Sequence, residues 1–256
     1  KMEVRTIING NQEPHDFELQ ANDMAKISKA DLIVYNGANM EAFMPDLKNA
    51  AGNDSKFLDL STGVNLLESG GNGIESADHN HTRVNPHTWL SIKNAEIQLE
   101  MIYNKVSELD PDNKDYYKAN LDSSLKEFKE LDSEFERELS EVKNKEKYFV
   151  VSHAAFSYLA RDYGLKEVVA TGISPEEEPS AKQLAEVVDF VKNHNIGTVF
   201  FEGKATPKVA ETLAKNAGVK TATLYTMETL TDDEIKEGYV KLMKYNLQEL
   251  IKSFNE

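Results

Sequence analysis

Short apolar runs alternate along the chain with longer segments in which apolar residues recur every three or four positions. The runs are rich in Val, Ile, Leu and Phe, which is typical of strands buried in a parallel sheet. They cover residues 4–8, 31–35, 57–60, 148–151, 167–170, 197–201 and 221–224. The periodic segments between them predict helices, and the alternation predicts an α/β fold with parallel sheets.

One periodic segment is much longer than the others. Residues 114–142 contain neither glycine nor proline, and their apolar positions recur at helical spacing from Tyr117 to Val142. A helix of this length spans about 45 Å, more than a small domain. A coiled coil is the alternative, but the segment occurs once and α/β patterns flank it. We therefore predict two Rossmann-like lobes, residues 1–113 and 144–256, joined by one long rigid α-helix over residues 114–143.

Composition narrows the classes of function. The 256 residues carry a formal net charge of −15 and include no cysteine. Strong acidity argues against binding nucleic acid or an anionic membrane surface. Without cysteine there are no disulfides or thiolates, so any zinc site has to use histidine and carboxylate. No run approaches the roughly 18 apolar residues of a membrane-spanning helix.

Three histidines occupy positions typical of ligand-binding side chains. His15 and His87 lie in a loop or at a helix start, and His153 follows a buried strand. Ser152 is placed to cap a helix that continues to Gly164. The region beyond the carboxyl end of a strand is where open α/β sheets bind ligands.

A single histidine of this kind is more simply explained as a buried structural residue, but three at similar positions indicate a shared site. Three imidazoles and a carboxylate form a set of nitrogen and oxygen ligands that suits Zn²⁺. A site with more carboxylates and fewer imidazoles would suit Mn²⁺ better. The histidines therefore favour zinc.

Two glutamates at the same edge of the predicted sheet are candidates for the carboxylate. Glu202 ends the run at 197–201, where backbone N–H groups are expected to hold it, and Glu228 lies in the loop after the last run. Asp16 and Glu18 flank His15 and are placed to orient it from outside the coordination shell.

The remaining histidines are weaker candidates. His194 is expected to be an exposed residue at a helix C-terminus, where the helix dipole favours it. His79 and His81 lie in a long polar loop. Weak recruitment of metal and plain solvation explain that loop equally well.

Six segments resemble, in matching order, those of one protein family. They are EPHDFE, ADLIVYNG, NPHTWLS, VVSHAAFSYLARDYG, SPEEEPS and TLTDDEIKEGYVKLMKYNLQEL. Over nearly its whole length the chain is similar to the zinc- and manganese-binding solute-binding proteins of ABC transporters, the cluster 9 or class A-I group. The resemblance implies one divalent metal bound in the cleft between two lobes and a membrane permease as partner. It also implies a location outside the cytoplasm, as a cell-surface lipoprotein or in the periplasm.

The resemblance assigns residues as well. The family's last carboxylate ligand matches Glu228, and the position of His153 is histidine in zinc-binding members but a carboxylate in manganese-binding ones. It therefore implies His15, His87, His153 and Glu228 as ligands of a transported Zn²⁺, with Mn²⁺ as the alternative. A loop residue also moves more readily than a strand end, which favours Glu228 over Glu202 in a carrier that must release its metal.

Two features depart from the family pattern. Members carry a further strand and helix before the segment that matches KMEVRTII. We therefore expect an upstream portion, with any signal or anchor, to be missing and the first lobe to be incomplete. The histidine-rich loop of zinc-binding members is reduced here to His79-Asn80-His81.

A zinc hydrolase is the alternative from a different class of function. A catalytic zinc keeps one position open for water beside a general base, whereas four protein ligands close the shell. The chain has no HExxH motif. An adhesin is a third possibility, with no sequence feature of its own here. The sequence therefore favours a monomeric binding protein over an enzyme.

Overall fold

Parallel strands alternate with helices along the chain, as predicted, and the strands form two sheets. The computed structural model describes residues 2–51, 54–68, 84–175, 177–202 and 208–256. The loop that contains His79 and His81 lies outside these ranges. Within them, no helix combines the length and the apolar character needed to cross a bilayer.

The first sheet has two short strands, β1 (Ile33–Tyr35) and β2 (Phe57–Asp59), paired in parallel. Two helices accompany them, α1 (Ala21–Ser28) and α2 (Met44–Ala51). These elements share a small core, whose buried members are Ile27, Tyr35, Met44 and Leu47.

Two long helices lead from the first sheet to the second. The first is α3 (Ile92–Leu109), capped by the hydroxyl of Ser91, which accepts a hydrogen bond from the backbone N–H of Asn94. The second, α4 (Lys114–Glu141), has 28 residues and corresponds to the predicted long helix. Its buried side chains lie at helical spacing and are Leu121, Leu131, Phe135 and Leu139.

The second sheet has four parallel strands. Their spatial order is β4 (Lys166–Val169), β3 (Tyr148–Val151), β5 (Thr198–Glu202) and β6 (Lys220–Leu224). Phe149 and Val151 of β3 pack into one core, and Val150 packs into another. Because successive side chains of a strand point to opposite faces, the sheet is buried on both sides, which explains its continuous apolar runs.

Helices cover both faces of this sheet. Their bounds are α5 (Ser157–Tyr163), α6 (Ala181–Asn193), α7 (Lys208–Ala217) and α8 (Asp232–Phe254). The core on one face draws on α4, α5 and α8, and the core on the other draws on α6 and α7. The second half of the long helix therefore packs into the core on one face of the second sheet.

The prediction of a strand at residues 4–8 is wrong. The segment has no strand assignment and pairs with no other part of the described chain. Val4 is 87% exposed. An apolar run forms a strand only where a neighbouring strand can take up its backbone hydrogen bonds, and residues 4–8 do not lie beside one.

The helix expected to start at Ser152 begins later, at Ser157. The backbone N–H and the hydroxyl of Ser152 donate to the carboxylate of Glu202 on β5. The backbone N–H of Phe156 donates to the carboxylate of Glu167 on β4, at 2.8 Å. Carboxylates from two neighbouring strands thus satisfy donors that an earlier helix would have used, and a loop remains between β3 and α5.

Candidate metal centre

Four side chains from separate parts of the chain converge beyond the carboxyl ends of the strands in the second sheet. His153 follows β3, and Glu228 lies in the loop between β6 and α8. His15 comes from the segment before α1, and His87 precedes the 3-10 turn that leads into α3. All four residues predicted as ligands therefore meet, two from before the long helix and two from after it.

The carboxylate of Glu228 is the centre of this group. Its Oε1 lies 3.1 Å from Nε2 of His15 and 2.9 Å from Nε2 of His87. Its Oε2 lies 3.4 Å from Nε2 of His153. The Glu228 side chain is 2% exposed, and those of His87 and His153 are fully buried. One carboxylate thus faces three imidazole nitrogens away from water.

These separations resemble the edges of a zinc coordination shell. Ligand atoms about 2.0–2.1 Å from a tetrahedral Zn²⁺ lie about 3.3 Å from one another. Nε2 of His15 and Nε2 of His87 are 3.4 Å apart, and the ligand atoms of these two residues and Glu228 fall within 4.8 Å of one another. His153 approaches from the side of the second carboxylate oxygen. It lies outside the group of three residues whose ligand atoms are all this close to one another, with its Nε2 3.4 Å from Oε2 of Glu228.

A hydrogen bond to Asn85 determines which nitrogen of His87 faces Glu228. Nδ1 of His87 lies 2.8 Å from Oδ1 of Asn85, whose amide nitrogen donates to the backbone oxygen of Ala154 at 2.7 Å. Because an amide oxygen only accepts, Nδ1 of His87 carries the proton. Nε2 of a neutral His87 is then an acceptor facing another acceptor. A cation between them, either a proton or a metal ion, removes that conflict.

Both ring nitrogens of His153 are buried without a hydrogen-bond partner among the described residues. Oε2 of Glu202 lies 3.5 Å from Nδ1, and Oε2 of Glu228 lies on the other side of the ring, near Nε2. Buried polar atoms almost always have a partner in folded proteins. The ring of His153 is therefore arranged for a ligand that the polypeptide does not itself provide.

Glu202 supports His153 from the side opposite Glu228. Its Oε1 accepts hydrogen bonds from the backbone N–H groups of Ser152, at 3.0 Å, and His153, at 3.2 Å. The hydroxyl of Ser152 donates to its Oε2. This confirms that backbone N–H groups hold Glu202. Carboxylates placed behind a metal-binding imidazole fix the orientation of the ring.

The charges of the centre are strongly coupled. Burial lowers the pKa of His87, with Glu228 opposing the shift. Burial acts in the same direction on His153, but the carboxylates of Glu202 and Glu228 outweigh it and hold the pKa of that imidazole well above its usual range. Burial alone would raise the pKa of Glu228, but the three imidazoles hold it well below its usual range. The centre therefore favours one negative carboxylate with positive charge beside it.

Asp16 and Glu18, which were expected to orient His15, are exposed, and neither forms a hydrogen bond to it among the described residues. The carboxylate of Glu13 instead accepts a hydrogen bond from the backbone N–H of His15, at 3.1 Å. Burial, followed by the charge of Glu228, raises the pKa of Glu13. The one feature of the sequence that could have indicated this role of Glu13 is its position two residues before His15.

His194 is a structural residue, as expected. It caps the C-terminus of α6, where its Nδ1 lies 3.0 Å from the backbone oxygen of Phe190. Its ring stacks on that of Phe190 with centroids 3.9 Å apart, so it is partly buried rather than exposed.

Known proteins resemble this chain in sequence. A family model described as "Zinc-uptake complex component A periplasmic" matches residues 1–253. The high-affinity zinc uptake system protein ZnuA of Bacillus subtilis is 38% identical over 258 residues, covering 98% of this chain and 80% of that protein. The zinc-binding lipoprotein AdcA of Streptococcus pneumoniae is 39% identical over 255 residues, covering 96% of this chain. The chain spans 50% of the length of that relative.

A solved structure resembles this chain in its fold. It is the crystal structure of the Zn(II)-bound ZnuA-like domain of Streptococcus pneumoniae AdcA, which superposes with a TM-score of 0.80 at 36% sequence identity. The match covers 98% of this chain and 90% of that domain.

We predict that Glu202→Ala lowers the stability of the metal-free protein. The change leaves the buried N–H groups of Ser152 and His153 without an acceptor, and each unsatisfied donor costs about 1–3 kcal/mol. Thermal or urea unfolding measures the loss. Glu211→Ala, on an exposed face of α7, is the matched control and should change stability by less than about 0.5 kcal/mol. Equal stability of the two variants would contradict the role given to Glu202.

Proposed function

The chain belongs to the family of zinc-uptake complex component A proteins, and we propose on that basis that it captures one Zn²⁺ and delivers it to the permease of an ABC transporter. Members of this family are the binding component of an uptake system, so the chain is not an enzyme. The observation that carries the proposal is the convergence of three imidazole nitrogens on the buried carboxylate of Glu228.

The proposed ligands are Nε2 of His15, His87 and His153 and the carboxylate of Glu228. Three neutral imidazoles and one carboxylate reduce the charge of Zn²⁺ from +2 to +1 and fill a tetrahedral shell. A hydrolase would need an open position for water. A closed shell suits a cargo that must be held and handed on unchanged.

Zinc suits these ligands better than manganese. Imidazole is a ligand that Zn²⁺ shares with copper, iron and nickel, whereas Mn²⁺ prefers sites rich in carboxylate, carbonyl and water oxygens. Glu202, which could have added a second carboxylate, has its Oε1 taken up by two backbone N–H groups. The family match likewise favours zinc over the manganese alternative.

We further propose that residues 1–113 and 144–256 act as two lobes with residues 114–143 as the link. The first lobe would contribute His15 and His87, and the second His153 and Glu228. The cargo would then join the two lobes directly. Since one chain supplies all four ligands, we propose a monomer. We propose that His79 and His81 serve in the capture of metal and are not among its four ligands.

The location proposed for the protein is outside the cytoplasm. The family is described as periplasmic, and relatives such as AdcA are called lipoproteins. A binding component of an uptake system has to meet its cargo before the permease does. We propose that the protein is held at the outer surface of the membrane or is free in the periplasm, within reach of its permease.

Zinc affinity tests the ligand set. We expect one tightly bound Zn²⁺ per chain, and a loss of at least about a hundredfold in affinity for His153→Ala, because one of four bonds to the metal is removed. Competition titration against a chelator of known affinity measures it. His194→Ala removes a histidine outside the centre and should leave the affinity unchanged. Wild-type affinity in His153→Ala would contradict the assignment.

Zinc binding should also depend on pH. The raised pKa of His153 means that the metal-free protein holds a proton there, which Zn²⁺ must displace. Affinity should therefore fall with decreasing pH, beginning above the ordinary imidazole value of about 6.5. Calorimetry at pH 7 in buffers of different ionisation enthalpy should detect release of about one proton. An affinity that is constant from pH 8 to pH 5.5 would contradict this prediction.

A further inference from the structure

Trp89, the one tryptophan of the chain, connects the segment that carries His87 to the loop that carries Glu228. Its indole Nε1 donates a hydrogen bond to the backbone oxygen of Thr226, at 2.8 Å. Its own backbone oxygen accepts a hydrogen bond from the hydroxyl of Tyr239 on α8, at 2.8 Å. The indole ring is also near the centre, with its centroid 5.5 Å from that of His87.

The loop that carries Glu228 is fixed at both ends by other contacts. At one end, the side chain of Asn246 on α8 bonds both the N–H and the oxygen of Tyr225, at 2.7 Å and 2.9 Å. At the other end, the N–H of Leu230 donates to the backbone oxygen of Gly10, at 2.5 Å.

Between these two points lie residues 226–229. Among the described residues, Trp89 makes the one hydrogen bond that reaches their backbone from outside the loop. The N–H of Glu228 bonds only within the loop, to the hydroxyl of Thr226 at 3.4 Å. Besides the packing of Met227 against the core and the contacts of the Glu228 carboxylate with the imidazoles, the hydrogen bond from Trp89 is therefore what joins the middle of the loop to the rest of the described chain.

The backbone next to Glu228 is in an unfavourable conformation. Met227 has φ of +63°, in the left-handed region that residues other than glycine rarely adopt. This unfavourable conformation lies directly beside Glu228, between the two fixed ends of the loop.

We propose that Trp89 is a positioning residue for zinc capture, which holds the carbonyl of Thr226 so that the carboxylate of Glu228 meets the imidazoles. The inference rests on the proposed function, since it assumes that Glu228 binds the cargo. Trp89 follows His87 by two residues, so the same short turn places a ligand from before the long helix and anchors the loop of a ligand from after it. The zinc site is thereby assembled before the metal arrives.

The test has to separate positioning of Glu228 from a general contribution to the fold. We would measure zinc affinity and the melting temperature of the metal-free protein for the wild type, Trp89→Phe, Glu228→Ala and the double variant. If Trp89 acts through Glu228, the two substitutions are not additive. Tyr163→Phe, which removes a partly buried hydrogen bond of 2.6 Å to Asp132, is the matched control.

Trp89→Phe should weaken zinc binding about 10- to 100-fold, the range found when residues that orient metal ligands are lost. In the Glu228→Ala background the same substitution should change the affinity by less than about twofold. Tyr163→Phe should lower the melting temperature without changing the affinity. Because the chain has one tryptophan, incorporating its benzothiophene analogue replaces only the indole N–H with sulfur. The analogue should reproduce the loss even where Trp89→Phe folds poorly.

Two results would overturn the inference while leaving the function intact. In the first, the wild type and Glu228→Ala bind zinc as proposed, but Trp89→Phe and the benzothiophene analogue both keep the wild-type affinity. The other is an equal loss on replacing Trp89 with and without Glu228, which would mean that Trp89 supports the fold in general. Absence of zinc binding by the wild type would instead overturn the proposed function, and the inference with it.

Discussion

A buried carboxylate surrounded by three imidazoles is the interaction on which the arrangement of this protein depends. Glu228 is removed from water, and ionised carboxylates are costly to bury unless positive charge or donors surround them. Here the neighbours are imidazole nitrogens from three distant segments. At least one of those nitrogens is an acceptor by virtue of its other bonds, so a cation has to complete the group. Zn²⁺ can supply that cation, whereas a core whose acceptors all receive hydrogen bonds has no need of one.

The rest of the fold keeps these groups in place. Parallel strands β3, β5 and β6 end at the same edge of the second sheet, and each end carries a residue of the centre or its support: His153, Glu202 and Glu228. Asn85 holds one imidazole and bonds to the loop that carries another. Helix α4 packs its buried face against the core beneath that sheet. The parts before and after the long helix therefore meet through hydrogen bonds as well as through the proposed metal.

Much of the fold could be predicted from the sequence, because the apolar runs and the helical spacing report local burial directly. The four residues predicted as ligands also lie together, although only His153 directly follows a strand, and His15 and His87 reach the same edge of the second sheet from loop and turn segments. What the sequence could not supply were contacts between distant segments. Glu202 and Glu167 accept hydrogen bonds from N–H groups of the loop after β3, because β5 and β4 are the neighbours of β3 in the sheet. No local sequence pattern predicts that order of strands. Trp89 and Thr226 are 137 residues apart.

The central claim is that three imidazoles and one carboxylate bind Zn²⁺ in a closed shell. X-ray absorption spectroscopy of the protein loaded with one equivalent of zinc in solution tests it most directly. The account predicts four nitrogen or oxygen ligands at about 2.0–2.1 Å, with the multiple-scattering signal of three imidazoles. A shell of five or six ligands dominated by oxygen, or a signal from fewer than three imidazoles, would contradict it.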